Sequence, residues 1–192
     1  MPPDDARAAA PAPAAGEDGA TALRERLRGY VGLQVEPPVE APEPVNRAMV
    51  RNWCEAVGDT NPVYLDPVAA ARSPHGGLVA PPAMIQAWFF PPLGTVRPAP
   101  GSLMAEIIDL VRRSGYPSVV ATNSDQRHLR YARHGERLVR RTSLTDVSEQ
   151  KRTRLGTGFF LTTQATIEGE RQDVVCSLDY RRFYFRPERA GP

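Results

Sequence analysis

The chain has 192 residues, of which 41% are hydrophobic and 24% charged, with a formal net charge of +2. That length accommodates one domain with tails, and the balance is that of a globular protein. No apolar run approaches the roughly 18 to 20 residues of a membrane span, and the small net charge gives no case for nucleic acid as a partner.

Residues 1–20 are mostly Ala, Pro, Asp and Gly, with no apolar block after a basic start. They read as a disordered extension and not a secretory signal, with the cytoplasm as the expected location. A single domain is expected over residues 21–188, followed by a tail at 189–192. Leu23, Leu27 and Tyr30 share one face of a predicted helix over 22–31, with Thr21 as its N-cap. Residues 34–45 carry Pro37, Pro38, Pro42 and Pro44, which exclude a helix or a central strand and leave an extended connector. Asn46 is placed to cap a helix bearing Met49, Val50, Trp53, Cys54 and Val57, stopped by Gly58.

That helix delivers the segment Gly58-Asp59-Thr60-Asn61-Pro62-Val63-Tyr64 as a loop. Asp66-Pro67 then opens a short helix through Ala71. Residues 81–90 are apolar nearly all round, which predicts a buried helix. The Pro- and Gly-rich stretch 91–117 is predicted to be a long loop, a lid or pocket wall. Strand patterns follow at 119–131, 136–149, 159–167 and 174–185, the last two joined through Glu168-Gly169-Glu170-Arg171. Helices first and an antiparallel meander after them predict an α+β domain.

Chemistry is thinly spread. Cys54 and Cys176 lack metal-ligand spacing and are expected to be buried reduced thiols, and His128 and His134 sit among arginines with no ligand pattern; neither metal nor cofactor is expected. Asp59 suits either a base that orients water or an Asx turn, and Asn61 before Pro62 suits a turn. His75, beside Gly76-Gly77, is the histidine that could serve as a general base. Of the 24 basic residues all but Lys151 are arginine. Arg140, Arg141, Lys151, Arg152 and Arg154 read either as solvated strand faces or as contacts to the phosphates of an acyl carrier, since a guanidinium fork binds phosphate bidentately.

Three blocks carry a family resemblance: the segment from Trp53 through Gly58-Asp59-Thr60-Asn61-Pro62-Val63-Tyr64, then His75-Gly76-Gly77-Leu78-Val79-Ala80-Pro81-Pro82-Ala83-Met84, and Lys151-Arg152-Thr153-Arg154-Leu155-Gly156-Thr157-Gly158-Phe159. Over residues 30–187 the chain resembles the MaoC-like hydratases with a FAS1-like dehydratase domain. In particular it looks like the larger subunit of the actinobacterial steroid enoyl-CoA hydratase of cholesterol side-chain degradation. The resemblance implies a hot-dog fold, an antiparallel sheet wrapped around a central buried helix. It also implies hydration of a bulky, steroid-type enoyl thioester carried by coenzyme A or an acyl carrier. A smaller MaoC-like partner would supply the catalytic Asp and His, in a heterodimer doubled into a heterotetramer. Gly77, Val79, Ala80, Pro81, Pro82, Met84, Trp88 and Phe89 would line the acyl pocket. The larger subunit of that family tends to carry a C-terminal domain resembling an OB fold, which is not expected within these residues.

Two departures from the family pattern stand out. Tyr64 occupies the position of the catalytic His, and a phenol with a reference pKa of about 10 cannot replace an imidazole of about 6.5 near neutrality. Pro81-Pro82 replace the segment whose backbone N–H would hold the thioester oxygen, a donor typically worth about 2.7 to 4 kcal/mol in such sites. The expectation is a degenerate half-site. Two alternatives remain: a self-sufficient homodimeric 3-hydroxyacyl-thioester dehydratase using Asp59 and His75, and a non-catalytic acyl-CoA-binding module.

Overall fold

A computed structural model describes residues 17–92, 94, 95 and 98–188. Most of the predicted 1–20 extension lies outside these residues, but its end does not. Helix α1 spans Glu17–Arg28, because Ala20 continues the stripe of Leu23 and Leu27 one turn upstream and all three are buried. Thr21 is therefore inside the helix and is not its cap. Tyr30 falls beyond the helix end, where its hydroxyl donates to Glu106 at 2.6 Å.

Strand β1 (Gln34–Glu40) occupies the predicted connector and pairs antiparallel with β3 (Val139–Val147). The prolines are tolerated because β1 is an edge strand whose register shifts between Gln34 and Glu36 and again between Glu36 and Val39. Helix α2 (Arg47–Val57) has the predicted caps. Asn46 Oδ1 accepts from Met49 N at 2.9 Å, and Gly58 closes the helix in the left-handed region with φ 71°. Two short helices follow, α3 (Pro62–Leu65) and α4 (Pro67–Arg72), each with Pro at its first turn and a preceding Asn61 or Asp66 as cap.

The segment 81–90 does not form the predicted helix. It makes two 3₁₀ turns, Pro82–Met84 and Ala87–Phe89. Pro81 and Pro82 stand where a helix start tolerates them, the interruption falls after them at Ile85–Gln86, and Pro91 and Pro92 follow the end of the segment. The predicted loop 91–117 instead contains helix α5 (Leu103–Arg113), capped by Ser102 and burying Met104, Ile107, Leu110 and Val111.

The remaining strands are β2 (Ser118–His128), β4 (Lys151–Thr153), β5 (Gly156–Glu168) and β6 (Val174–Arg186). The antiparallel sheet runs β1-β3-β5-β6-β2, with β4 paired to the start of β5. Helix α5 packs with α1 on one half of the sheet, against Leu144, Val147, Phe159, Leu161 and Tyr184. The two 3₁₀ turns, α2 and α3 pack on the other half, against Ile167, Val175, Cys176 and Leu178. The expected antiparallel sheet is thus present; the helix packed on it is α5, one face of which is buried, and not the predicted helix at 81–90.

Candidate functional site: a spent acid/base loop beside a groove

The motif loop is shaped by its own side chains. Asp59 N–H donates to Cys54 O at 2.9 Å, and Asp59 Oδ1 accepts from Asn61 N at 3.0 Å. Asn61 Oδ1 in turn accepts from Val63 N at 3.2 Å and starts α3. Both polar residues of the motif are therefore held as turn and cap acceptors. One helical turn later α3 brings Tyr64 into the core, where it is 6% exposed.

Burial, together with the neighbouring Tyr131 hydroxyl and the Asp59 carboxylate, pushes the Tyr64 phenol up to about 12. It is neutral at any physiological pH. The Tyr64 ring stands 6.5 Å from that of Tyr131, and Tyr131 stands 4.4 Å from the ring of His75. His75, Gly77 and His134 border a cleft of about 400 Å³ next to this row. Tyr131 had no motif to announce it. It arrives because the chain after β2 pairs with the 78–80 segment through Ala80 N to Ala132 O at 2.9 Å and His134 N to Leu78 O at 3.2 Å.

Ala80 N–H is thus already satisfied, and Pro81 and Pro82 have none to give. Val79, Ala80, Met84, Trp88 and Phe89 are buried in the same cluster as Tyr64, Pro81 is buried and Pro82 half-buried, while Gly77 lines the cleft. Of these, Phe89 also borders a larger groove of about 670 Å³ on the helix-covered face of the sheet. Its walls are the Gln86–Pro91 segment and α5, through Met104 and Ile108, and its floor includes Thr163, Ala165 and Leu178. Phe90, 69% exposed, stands at its rim.

The five basic residues do not form one cluster. Arg140 lies in the groove with its guanidinium 5.2 Å over Phe89, Arg141 bonds Glu168 at 3.1 Å, and Arg152 bonds Glu188 at 2.7 Å. Lys151 and Arg154 are exposed around the β4 turn. A separate charged knot ties the β5–β6 turn to the chain after β2. Arg130 bonds Glu136 and Asp173 at 2.5 to 3.0 Å, which raises the guanidinium and lowers the Asp173 carboxyl. Among the described residues no group of three or more His, Cys, Asp or Glu could hold a metal ion, and no helix is long and apolar enough to cross a membrane.

An antiparallel sheet with helices packed on it and a Gly-Asp-x-Asn-Pro loop define a MaoC-like hot-dog protein. The chain belongs to the FAS1-like dehydratase family, whose profile, "FAS1-like, dehydratase domain region", matches residues 31–178. It is 39% identical over 169 residues to the 3-oxo-4,17-pregnadiene-20-carboxyl-CoA hydratase alpha subunit of Mycobacterium tuberculosis, covering 88% of this chain and 54% of the relative. A "Probable enoyl-CoA hydratase alpha subunit" of Thermomonospora curvata is 39% identical over 176 residues, covering 91% of this chain and 54% of the relative. The chain thus spans about half the length of these two curated relatives. Among solved structures it is similar to a chain of the ChsH1-ChsH2 complex from Mycobacterium tuberculosis, with a TM-score of 0.77, 37% identity, and coverage of 92% of this chain and 96% of that one. An (R)-hydratase from A. caviae shares the fold alone, at a TM-score of 0.52 and 13% identity.

Proposed function

We propose that this chain is the pocket-forming subunit of an enoyl-CoA hydratase, which adds water to a bulky, steroid-type enoyl thioester while a smaller MaoC-like partner supplies the Asp and His. The observation that carries this reading is Tyr64. A buried phenol held neutral up to about pH 12 stands where the family's imidazole would activate water, so the chain cannot run that step alone. The missing N–H donors at Pro81 and Pro82 point the same way. The groove supports the other half of the proposal, because about 670 Å³ with Phe89, Met104, Ile108, Ala165 and Leu178 in its lining leaves room for a bulky acyl group. The alpha-subunit names of the two relatives agree with a division of labour between chains.

In this scheme the partner's base removes a proton from water as its oxygen attacks the β-carbon. The partner's acid then protonates the α-carbon, so that one water is added across the double bond. This chain's residues would exclude bulk water and hold the acyl group, and a site shared in this way requires a hetero-oligomer, in this reading a heterodimer doubled into a heterotetramer. The test is an absorbance assay for loss of the enoyl thioester, with the chain alone and with a small MaoC-like chain. Turnover is expected only with both present, and substantial turnover by this chain alone overturns the reading. The second reading, catalysis by His75, has one observation in its favour: His75 borders an open cleft beside Tyr131. In that reading the chain is a self-sufficient homodimer using Asp59 and His75, and full activity persisting in His75→Ala assayed without a partner would remove it.

A further inference from the structure

The ion pairs of the described residues use Arg24, Arg51, Arg113, Arg130, Arg141 and Arg152. Arg141 and Arg152, two of the residues read from the sequence as contacts to carrier phosphates, are therefore already matched by Glu168 and Glu188. A cation is left to take an anion where it lines a cavity with no carboxylate beside it. Arg133 and Arg171 line the cleft at the Arg130 knot, but Glu136, Glu170 and Asp173 line it with them. Arg181 borders a hollow that it shares with Asp125 and Asp179. Arg112 and Arg182 line the groove, whose one acid among the described residues is Glu36.

Glu36 is too distant to match them. It stands opposite Thr142, which pairs with Ala165 on β5, whereas Arg182 lies in the row of Leu161. The backbones are thus ~14 Å apart across the sheet and ~13 Å along it, at about 4.8 Å per strand and 3.3 Å per residue. On its other side Arg182 pairs with Ala121 of the edge strand β2, and Tyr184, 5% exposed, fills the next row between Phe159 and Val119. Arg112 comes from the last turn of α5. Burial raises the Tyr184 phenol, while Arg182, hydrogen-bonded to it, and Arg112 act to lower it, so both guanidiniums stand about one hydroxyl. The Arg182 guanidinium is also held 4.4 Å over the Tyr180 ring. Arg112, Val119 and Ala121 are exposed, so this part of the groove opens to water at the edge of the sheet.

We propose that Arg112 and Arg182, with the Tyr184 hydroxyl, form a binding site for a phosphate group at the open edge of the groove. One guanidinium fork satisfies the two oxygens of a carboxylate. Two forks and a hydroxyl, brought from a helix and a strand, suit an anion whose oxygens point in several directions, which is the geometry of phosphate. The open edge lets the phosphate keep part of its hydration, and the two cations offset what it loses. Coenzyme A as the bearer of that phosphate rests on the acyl-thioester reading above; the assignment of the two arginines goes beyond it. A carrier phosphate and free phosphate present the same oxygens, and the two sources are separated by experiment.

Calorimetric titration of the full chain, in complex with its partner where one is required, tests this with coenzyme A, 3′-dephospho-coenzyme A, pantetheine and inorganic pyrophosphate. The wild type is expected to bind coenzyme A about tenfold more tightly than pantetheine, which lacks the phosphates. Arg112→Met and Arg182→Met should each remove most of that preference without changing pantetheine, Arg182→Lys should keep part of it, and Arg152→Met should change nothing. A parallel loss for 3′-dephospho-coenzyme A supports the site and places the diphosphate in it; a loss confined to coenzyme A supports it with the 3′-phosphate as occupant. Pyrophosphate that competes with coenzyme A in the wild type supports a site open to free phosphate as well. Equal wild-type affinity for coenzyme A and pantetheine overturns the proposal, and this comparison decides the matter even if a methionine variant fails to fold. Folded variants that keep the wild-type affinity, or that lose pantetheine as much as coenzyme A, overturn it too. Each of these failures leaves the hydratase reading standing. Absence of turnover with every small partner, with arginine-dependent binding intact, removes that reading and leaves the phosphate site.

Discussion

Asp59, Asn61 and Tyr64 show how little of a catalytic loop need change for its chemistry to lapse. The backbone of the loop survives because its carboxylate and amide are spent on N–H groups at 3.0 and 3.2 Å. Restoring the imidazole alone should therefore fail. Tyr64→His is expected to leave the isolated chain below about one-hundredth of the activity of the assembled pair, because a single missing oxyanion donor costs about 10²–10³ in rate. A rate approaching that of the pair would contradict this account.

The Tyr64 phenol also has a titration signature. Its folded value, about 12, lies above the reference of 10, so folding favours the neutral form. The associated stability is fully present below pH 10 and is lost as pH rises through 12. Ultraviolet difference titration should find a late-titrating phenolate that is lost in Tyr64→Phe, while Tyr30 and Tyr184, raised by the Glu106 hydrogen bond and by burial respectively, remain. At the acid side the sign reverses. His128 and His134 are both held below the usual imidazole range, chiefly by burial and for His134 also by Arg47. Their contribution to stability is present above about pH 6.5 and falls as pH drops below it, so the urea midpoint should decrease from pH 7.5 to 5. His134→Gln should flatten part of that slope.

At the scale of elements, α5 and the β5–β6 ladder carry most of the testable stability. Ile107 is fully buried on the sheet-facing side of α5. Ile107→Ala should cost about 2 to 5 kcal/mol by denaturant unfolding. Gly158 lies where β5 crosses β6 so closely that a methyl group would collide with the backbone of Tyr184 and Phe185. Gly158→Ala is expected to lower stability by about 1 to 3 kcal/mol, because a paired strand and not a flexible side chain must move. Elements whose signals are local were legible in the sequence. Asn46, Asp66-Pro67 and the run of alternating residues before Gly169 each announce an end or a face within a few positions. Those decided at a distance were not: β1 is a strand only because β3 is there to pair with it, and the all-round apolar composition of 81–90 does not separate one helix from the two 3₁₀ turns that pack there. The amphipathic spacing of Met104, Ile107 and Val111 was present but submerged in Pro and Gly on both sides. Arg181 and Arg182 are adjacent in sequence, and only the register with Leu161 decides which of them faces the groove.

The whole molecule is organised around a sheet whose order departs from that of the chain. Its two thiols report on that core. Cys54 and Cys176 are both buried, and burial pushes the Cys176 thiol up to about 11. Neither should react appreciably with a thiol reagent at pH 8 until the protein unfolds, when both should react; rapid labelling of the native state would contradict the packing described. The sheet order β1-β3-β5-β6-β2 places β6, the last strand in sequence, between β5 and β2. Strand β2 finds its hydrogen-bonded neighbour only there, through a register that runs from Ser118–Phe185 to His128–Cys176. During synthesis β2 must therefore wait, unpaired and with most of its side chains facing solvent, until some sixty further residues have been made. The chain's period of greatest exposure to misassembly is thus set by the ribosome, and it ends when the strand ending at Arg186 is complete and can close the sheet.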